Sequence, residues 1–341
     1  MSPNSENLRF GIIGAGRIGK IHAQTICKVV SNASVIAIAD PVESAAQETA
    51  SKFGIPHCSA HFEDVLNNPD VDAVAICSST NTHAEMITAA AEAGKHIFCE
   101  KPIAYDLSVI DSALAAVEKA GVKLQIGFNR RFDPNFRAVR EGIAAGQIGA
   151  PHLLRITSRD PEPPPPAYVK VSGGMFFDMT IHDFDMARYL MGCNVTRIFA
   201  AGAVLVDEEI GQAGDIDTAV VTLFFENGAI GTIDNSRKAI YGYDQRLEVF
   251  GSGGMLQSLN NTPHRNVFSG AGGIISAKPL YFFLERYMDS FIAEMDAFVK
   301  AVRLDQPTPV SGADGREPVV MAIAATRSLK EKRPVDLSEI R

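Results

Sequence analysis

Between Gly173 and Gly192 the chain reads GGMFFDMTIHDFDMARYLMG, the stretch richest in groups able to move a proton. At about 3.6 residues per turn, Asp178, His182 and Asp185 follow an i, i+4, i+7 stripe, while Phe177, Ile181 and Phe184 line a neighbouring apolar one. One face can pack while the adjacent one presents carboxylates around an imidazole. An imidazole changes charge near neutrality and suits the role of general base, and a carboxylate one turn earlier can orient it and balance the imidazolium that forms. A surface helix with a solvated charged face has the same pattern. The weight given to the stripe therefore depends on the elements that would bring a reaction partner to it.

Those elements begin at the N-terminus. Leu8–Ile13 is a short apolar run that ends in Gly14-Ala15-Gly16-Arg17-Ile18-Gly19, after which Ile21, Ile26, Val29 and Val30 predict a helix. In a strand–turn–helix the first glycine permits the tight turn, the second lets backbone approach a pyrophosphate, and the third lets helix and strand pack closely. The phosphate then rests on the helix N-terminus. A second apolar run, Ser34–Ala39, ends in Asp40, about 20 residues beyond the last glycine, where a carboxylate bonds the adenosine ribose hydroxyls. It would also repel a 2′-phosphate, so NAD is expected in preference to NADP. Capping or turning the chain before Pro41 is the other use open to Asp40.

The βα rhythm continues through helices at Ala45–Phe53 and Phe62–Leu66 and strands at His57–Ser59 and Val71–Cys77, the last a continuous apolar run of parallel-sheet type. The following cluster, Ser78 to His83, falls at the carboxyl edge of the sheet, where doubly wound folds bind ligands, so Ser79, Thr80, Asn81 and His83 are candidates to line the dinucleotide. Thr80 or Asn81 could equally cap the helix expected over Thr82–Ala93. Strand Ile97–Cys99 delivers Glu100-Lys101-Pro102 to the same edge, within reach of a nicotinamide or a substrate hydroxyl. A helix over Leu107–Ala120 and a strand over Leu124–Phe128 complete this half.

After Asn129-Arg130-Arg131-Phe132 and a helix over Pro134–Ala145, strands dominate: His152–Arg159, Thr196–Val206, Thr218–Phe225, Ala229–Ser236, Arg246–Phe250 and Met255–Leu259. Asn227-Gly228 is a two-residue hairpin signal, so part of this sheet is antiparallel. The prolines between Pro161 and Pro166 stiffen a loop in polyproline II form. Helices at about Tyr287–Arg303 and Glu317–Glu331 close the chain. The organisation is thus α/β: a dinucleotide-binding domain over 1–128 and a substrate-binding and oligomerisation α+β domain over 129–341, whose last helix is able to pack back on the first.

Composition narrows the partners. A chain of 341 residues, 46% hydrophobic and 21% charged, suits two cored domains, and its formal charge of −8 argues against nucleic acid or an anionic membrane. Five widely spaced cysteines without a C-x-x-C pair signal neither a disulfide framework nor a zinc site, and no apolar run marks a leader or a membrane span. A cytoplasmic location is expected. Asp178, His182, Asp183 and Asp185 form the one carboxylate–imidazole cluster evident in the sequence, and no metal is indicated.

With the glycine turn, Asp40, Glu100-Lys101-Pro102 and the Asp178/His182 helix together, the chain resembles the Gfo/Idh/MocA oxidoreductase family over essentially its full length. Tyr168–Gly192 and Tyr241–Gly254 are similar to the corresponding segments of its inositol 2-dehydrogenase members. The resemblance implies an N-terminal Rossmann domain and a C-terminal α+β domain on an open, mostly antiparallel sheet, whose exposed face pairs subunits into a homodimer or homotetramer. It implies NAD-dependent oxidation of a ring hydroxyl, with Lys101, Asp178 and His182 as the catalytic set. It also brings Tyr241 or Tyr243, and Arg130 or Arg131, to the substrate without choosing between neighbours. The acidic stripe Asp178, Asp183, Asp185 would accept from hydroxyls and disfavour anionic substrates. Two other readings stay open at this point: a dehydrogenase of another inositol isomer or an aldose, and a non-catalytic NAD-binding regulator.

Overall fold

Short strand segments separated by amphipathic stretches fold as strand–helix repeats when the sheet they make is covered on both faces. In the computed structural model, which describes residues 7–341, this holds for β1 (Leu8–Ile13), β2 (Ala33–Ala39), β3 (His57–Ser59), β4 (Ala73–Ile76), β5 (His96–Glu100) and β6 (Leu124–Gly127). All pair in parallel, in the order β3-β2-β1-β4-β5-β6. The order reverses between β1 and β4, and the glycine turn follows β1 at that switch point, the position at which such sheets bind nucleotides.

The chain divides into two compact units, Met1–Phe132 with Asp289–Val319, and Asp133–Met288 with Val320–Arg341. The range 129–341 expected for the second domain therefore yields Asp289–Val319 to the first unit. The reason lies in one core: Met295, Phe298 and Val299 of the helix Met288–Arg303 are buried with Phe10, Ile12, Ile38 and Phe98. The Phe298 ring lies 5.9 Å from that of Phe10 and 6.1 Å from that of Phe98. An amphipathic pattern states that a helix buries one face but not which sheet covers it.

The second unit is built on a seven-stranded mixed sheet: β7 (Pro151–Arg159), β8 (Val195–Ala203), β9 (Thr218–Phe225), β10 (Ile230–Ser236), β11 (Asp244–Gly251) and β12 (Gly254–Ser258), with β15 (Val335–Asp336) at one edge. Its order is β12-β11-β7-β10-β9-β8-β15, and only β7 and β10 run parallel. Asn227-Gly228 makes the β9–β10 hairpin, Gly228 at φ +85°. Strand periodicity gave the six longer strands to within three residues at each end. It missed a separate two-stranded ribbon, β13 (Val267–Gly270) with β14 (Gly273–Ser276), whose residues are all exposed and lack the alternation that marks a half-buried strand.

One face of the seven-stranded sheet is buried and the other is not. Met255, Phe250, Leu153, Ile230 and Phe224 stand directly opposite one another across five neighbouring strands, and all but Phe224 are largely exposed. Among the described residues no helix is long and apolar enough to cross a membrane.

Candidate active site

In the first unit, each glycine of the turn has its own physical reason. Gly14 adopts φ +105°, and a Cβ there would lie 2.6 Å from the backbone of Cys77. At Gly19 it would lie 1.9 Å from the carbonyl oxygen of Gly14. Gly16 is exposed with nothing within 4 Å of that position, and no side chain caps the helix Arg17–Lys28 that it begins. Exposed Arg17 and half-buried Ile18 follow it. Open backbone and an uncapped N-terminus fit a pyrophosphate.

Asp40 follows β2 and is half-buried; its Oδ2 accepts from the Ala15 amide at 2.7 Å and its Oδ1 from the Val42 amide at 2.8 Å. The turn role that the sequence left open is thus realised, and it fixes the carboxylate against the glycine loop. The helix after β4 starts at Thr80, with Ser79 at its N-cap position, two residues before the expected start. Ser79 and Asn81 are exposed and Thr80 half-buried. His83 is different. Its ring is 1% exposed, with Nδ1 2.8 Å from the Pro102 carbonyl and Nε2 3.1 Å from that of Ser78. Burial pushes its pKa down, so one nitrogen carries the proton at a time. His83, a candidate to line the dinucleotide, is enclosed between carbonyls just beyond the ends of β4 and β5 and donates to one of them at a time.

Half-buried Lys101 directly follows β5, and a cis peptide joins it to Pro102. Glu100, before it, is 2.8 Å from Nε2 of His22 on the first helix. With Glu294 this makes a second carboxylate–imidazole cluster, which the sequence reading missed because its members lie far apart in the chain. Of the two arginines, Arg131 is committed to Asp314 at 3.0 Å, while Arg130, 5% exposed, occupies the same 3-10 turn, Asn129–Phe132.

In the second unit the Gly173–Gly192 stretch is two helices, Met175–Asp178 and Thr180–Met191, meeting at Met179. Gly174 at φ +84° and the Asp215 carboxylate, which accepts from the Met175 amide at 3.0 Å, set the start of the first. The solvated-helix reading is excluded. Asp183 and Asp185 are fully buried, so the expected acidic stripe facing hydroxyls reduces to Asp178. Asp183 instead accepts from Asn235 at 2.8 Å, and Asn235 also takes the Thr180 hydroxyl at 2.7 Å, which pins the second helix to β10. His182 is half-buried on that helix.

Asp178 is held by two residues that sequence spacing did not single out: Tyr168 donates to its Oδ1 at 2.8 Å, and Arg237 pairs with its Oδ2 at 2.9 Å. Arg237 is 2% exposed and also meets Asp160 at 3.4 Å. Burial opposes its charge, but Asp178 and Asp160 more than restore it. Arg237 comes from the residue after β10, a strand remote in sequence from Asp178, so no local pattern links them. The two tyrosines are now distinguishable. Tyr243 is 7% exposed and edge-on to Tyr287 at 6.0 Å, in the core. Tyr241 is 38% exposed, its hydroxyl donating to Asp244 at 2.6 Å and accepting from Arg159 at 3.1 Å. Burial, then the bond to Asp244, raises its pKa and keeps it a neutral phenol.

A parallel sheet with a three-glycine turn at its switch point, an acid after the next strand and a separate mixed-sheet unit carrying His182 and Asp178 together define the class of NAD-binding α/β oxidoreductases. The family model for the oxidoreductase family with NAD-binding Rossmann fold matches residues 8–128, and that for the GFO/IDH/MocA C-terminal domain matches 136–257. The chain belongs to the GFO/IDH/MocA oxidoreductase family. It is 51% identical to a myo-inositol 2-dehydrogenase of Thermotoga maritima over 98% of this chain and 99% of that one. Among solved structures, a myo-inositol dehydrogenase of Corynebacterium glutamicum superposes with a TM-score of 0.93 at 39% identity, covering 97% and 99% of the two chains. One from Lactobacillus casei in complex with NAD(H) and myo-inositol gives 0.87 at 28%, covering 97% and 96%.

Proposed function

We propose that the protein oxidises a ring hydroxyl of an inositol, converting myo-inositol to 2-keto-myo-inositol (scyllo-inosose), with Lys101, Asp178 and His182 as the catalytic set. The observation that carries this reading is the near full-length likeness to inositol dehydrogenases described above. Gly14, Gly16, Arg17, Ile18, Gly19, Asp40, Ser79, Thr80, Asn81 and the Glu100-Lys101 pair are the residues that hold the dinucleotide. When bound, NAD supplies the hydride acceptor. As the C–H bond gives up its hydride, the hydroxyl proton must leave, and His182 takes it at an unprotonated imidazole nitrogen. Asp178, fixed by Tyr168 and Arg237, balances the imidazolium that forms. Lys101 donates to the alcohol oxygen and favours its alkoxide-like transition state. Tyr241 and Arg130 bind substrate hydroxyls, as a neutral polyol requires several short hydrogen bonds rather than one strong field.

Two further assignments belong to this proposal. A second copy packs on the apolar row Met255, Phe250, Leu153 and Ile230, forming a homodimer or homotetramer. The compartment is the cytoplasm, a reading supported by five cysteines that are all free. The test is the initial rate of NADH formation across inositol stereoisomers and aldoses, with NADP in parallel, for the wild type and His182→Ala. Myo-inositol is expected to give the highest kcat/KM, and His182→Ala to lower kcat by roughly 10²- to 10⁴-fold, the usual contribution of a general base. A preference for scyllo-inositol or an aldose moves the substrate. Turnover of no polyol replaces the enzyme by an NAD-binding regulator.

A further inference from the structure

Within the first unit, three groups from three distant segments converge in an apolar core. His22 comes from the helix after the glycine turn, Glu100 from the end of β5, and Glu294 from the helix Met288–Arg303. One ligand-type atom from each lies within 4.8 Å of the others. His22 and Glu294 are fully buried, and the Glu100 side chain is 12% exposed. The His22 ring sits edge-on to Phe98 at 4.9 Å and to Phe291 at 5.9 Å. Gly127, paired with Glu100 across β5 and β6, leaves room for the acid: a Cβ there would lie 3.1 Å from the Glu100 carboxyl. The Glu294 backbone carbonyl is anchored by Gln125 at 2.9 Å, yet neither of its carboxyl oxygens has a hydrogen-bond partner among the described residues.

We infer that Glu294 is a positioning residue carried as a neutral acid, which shares its proton with Glu100 and, with His22, fixes the strand end that bears Lys101. Two carboxylates this close in an apolar surrounding cannot both stay charged, so the pair keeps one proton. Glu100 has the His22 Nε2 2.8 Å from its Oε1, whereas neither carboxyl oxygen of Glu294 has such a partner among the described residues, so the proton resides on Glu294. Burial, reinforced by the charge of Glu100, pushes the Glu294 pKa well above the carboxylate range. A small rotation or one bridging water brings its O–H to Glu100. The other groups facing the pair are Cys77 and Cys99, whose thiols burial pushes well up, and His83, which burial pushes down and which also feels Lys101. The thiols stay neutral, and His22, His83 and Lys101 are common to both proteins, so the titration that separates wild type from a Glu294 variant is that of Glu294 itself.

The consequence for Lys101 rests on the role proposed for that lysine; the proton on Glu294 does not. Stability from a carboxyl with a raised folded pKa is fully present below its ordinary value and is lost as pH climbs toward the raised one. Glu294→Gln keeps the shape and the neutral donor without that loss. The melting temperature of Glu294→Gln should therefore match wild type near the ordinary carboxylate pKa and exceed it increasingly as pH rises toward the raised one, by roughly 2–4 °C for each pH unit. A difference that is flat with pH overturns the inference. So does a variant less stable throughout that has lost a stoichiometric divalent metal found in wild type by elemental mass spectrometry. Should Glu294→Gln fail to fold, the infrared spectrum of the wild type at about pH 6, above the ordinary carboxylate pKa, decides: a protonated-carboxyl stretch is expected, and its absence overturns the inference. For Lys101, Glu294→Ala should lower kcat about tenfold with the KM for NAD unchanged, and Glu294→Gln should restore it; equal loss in both removes the proton-sharing role.

Discussion

Replacing Asp40 by Ser separates two functions that one carboxylate combines. Its Oδ2 and Oδ1 accept the Ala15 and Val42 amides at 2.7 and 2.8 Å, and Ala15 is 2% exposed, so losing the acceptor leaves a buried N–H without a partner. A serine hydroxyl can remake at most one of these bonds, and the apoprotein should lose about 1–3 kcal/mol. Selectivity should change by more. A unit charge pair about 4 Å apart is worth about 1 kcal/mol in water and about 4 kcal/mol near a protein surface, and half-buried Asp40 lies between these limits against a 2′-phosphate. Relief of that repulsion, with loss of the ribose hydrogen bond, should reduce the NAD/NADP ratio of kcat/KM by roughly 10²- to 10³-fold. Asp40→Asn, which keeps one acceptor oxygen, should show much of the selectivity change with less loss of stability. The assay is initial rates with both cofactors beside a thermal melt of the apoprotein. A strong NAD preference retained by Asp40→Ser would refute the reasoning, because the turn role alone predicts lost stability without altered selectivity.

Three other outcomes are expected. Arg237→Met strips Asp178 and Asp160 of a buried cation; their side chains are 15% and 22% exposed, so the loss should fall near about 2–4 kcal/mol, with kcat lowered as well. An unchanged melt and rate would dismiss Arg237 as a support. Gly19→Ala, which sets a Cβ 1.9 Å from the Gly14 carbonyl oxygen, should lower both the melting temperature and NADH affinity, whereas Gly16→Ala, at φ −70° in open space, should weaken NADH alone in a fluorescence titration. Equal melts for the two would contradict the division of roles. Asp217 is fully buried, and although burial raises its pKa, the amides of Leu205, Asp207 and Val206 and the Thr218 hydroxyl lower it further. Its stabilisation is present above the ordinary carboxylate pKa and lost as pH falls through the lowered one. Asp217→Asn should thus be destabilised at pH 7 and converge on wild type in acid; a gap independent of pH would count against this.

Much of the site was legible because its signals are local. The glycine turn needs positive φ, open backbone and close packing at fixed spacings, and only glycine supplies all three, so Gly14, Gly16 and Gly19 declare themselves. Strand alternation likewise located β7 to β12. Failures came where a residue's environment is made by segments distant in sequence. Asp183 and Asp185 read as acceptors for substrate hydroxyls, yet both are buried and Asn235 on β10 donates to Asp183 in the core. His83 read as a ligand contact, yet carbonyls at the ends of two strands enclose it.

By itself, then, the sequence determined the two architectures, the dinucleotide turn and the presence of Lys101, Asp178 and His182, because backbone conformation and amphipathic period are set over a few residues. The tertiary structure alone decided that Asp178 is held by Tyr168 and Arg237, that Tyr241 rather than Tyr243 is exposed, and that Glu294 joins His22 and Glu100. Burial and charge pairing depend on which faces of remote elements meet, and that is fixed by packing rather than by spacing along the chain.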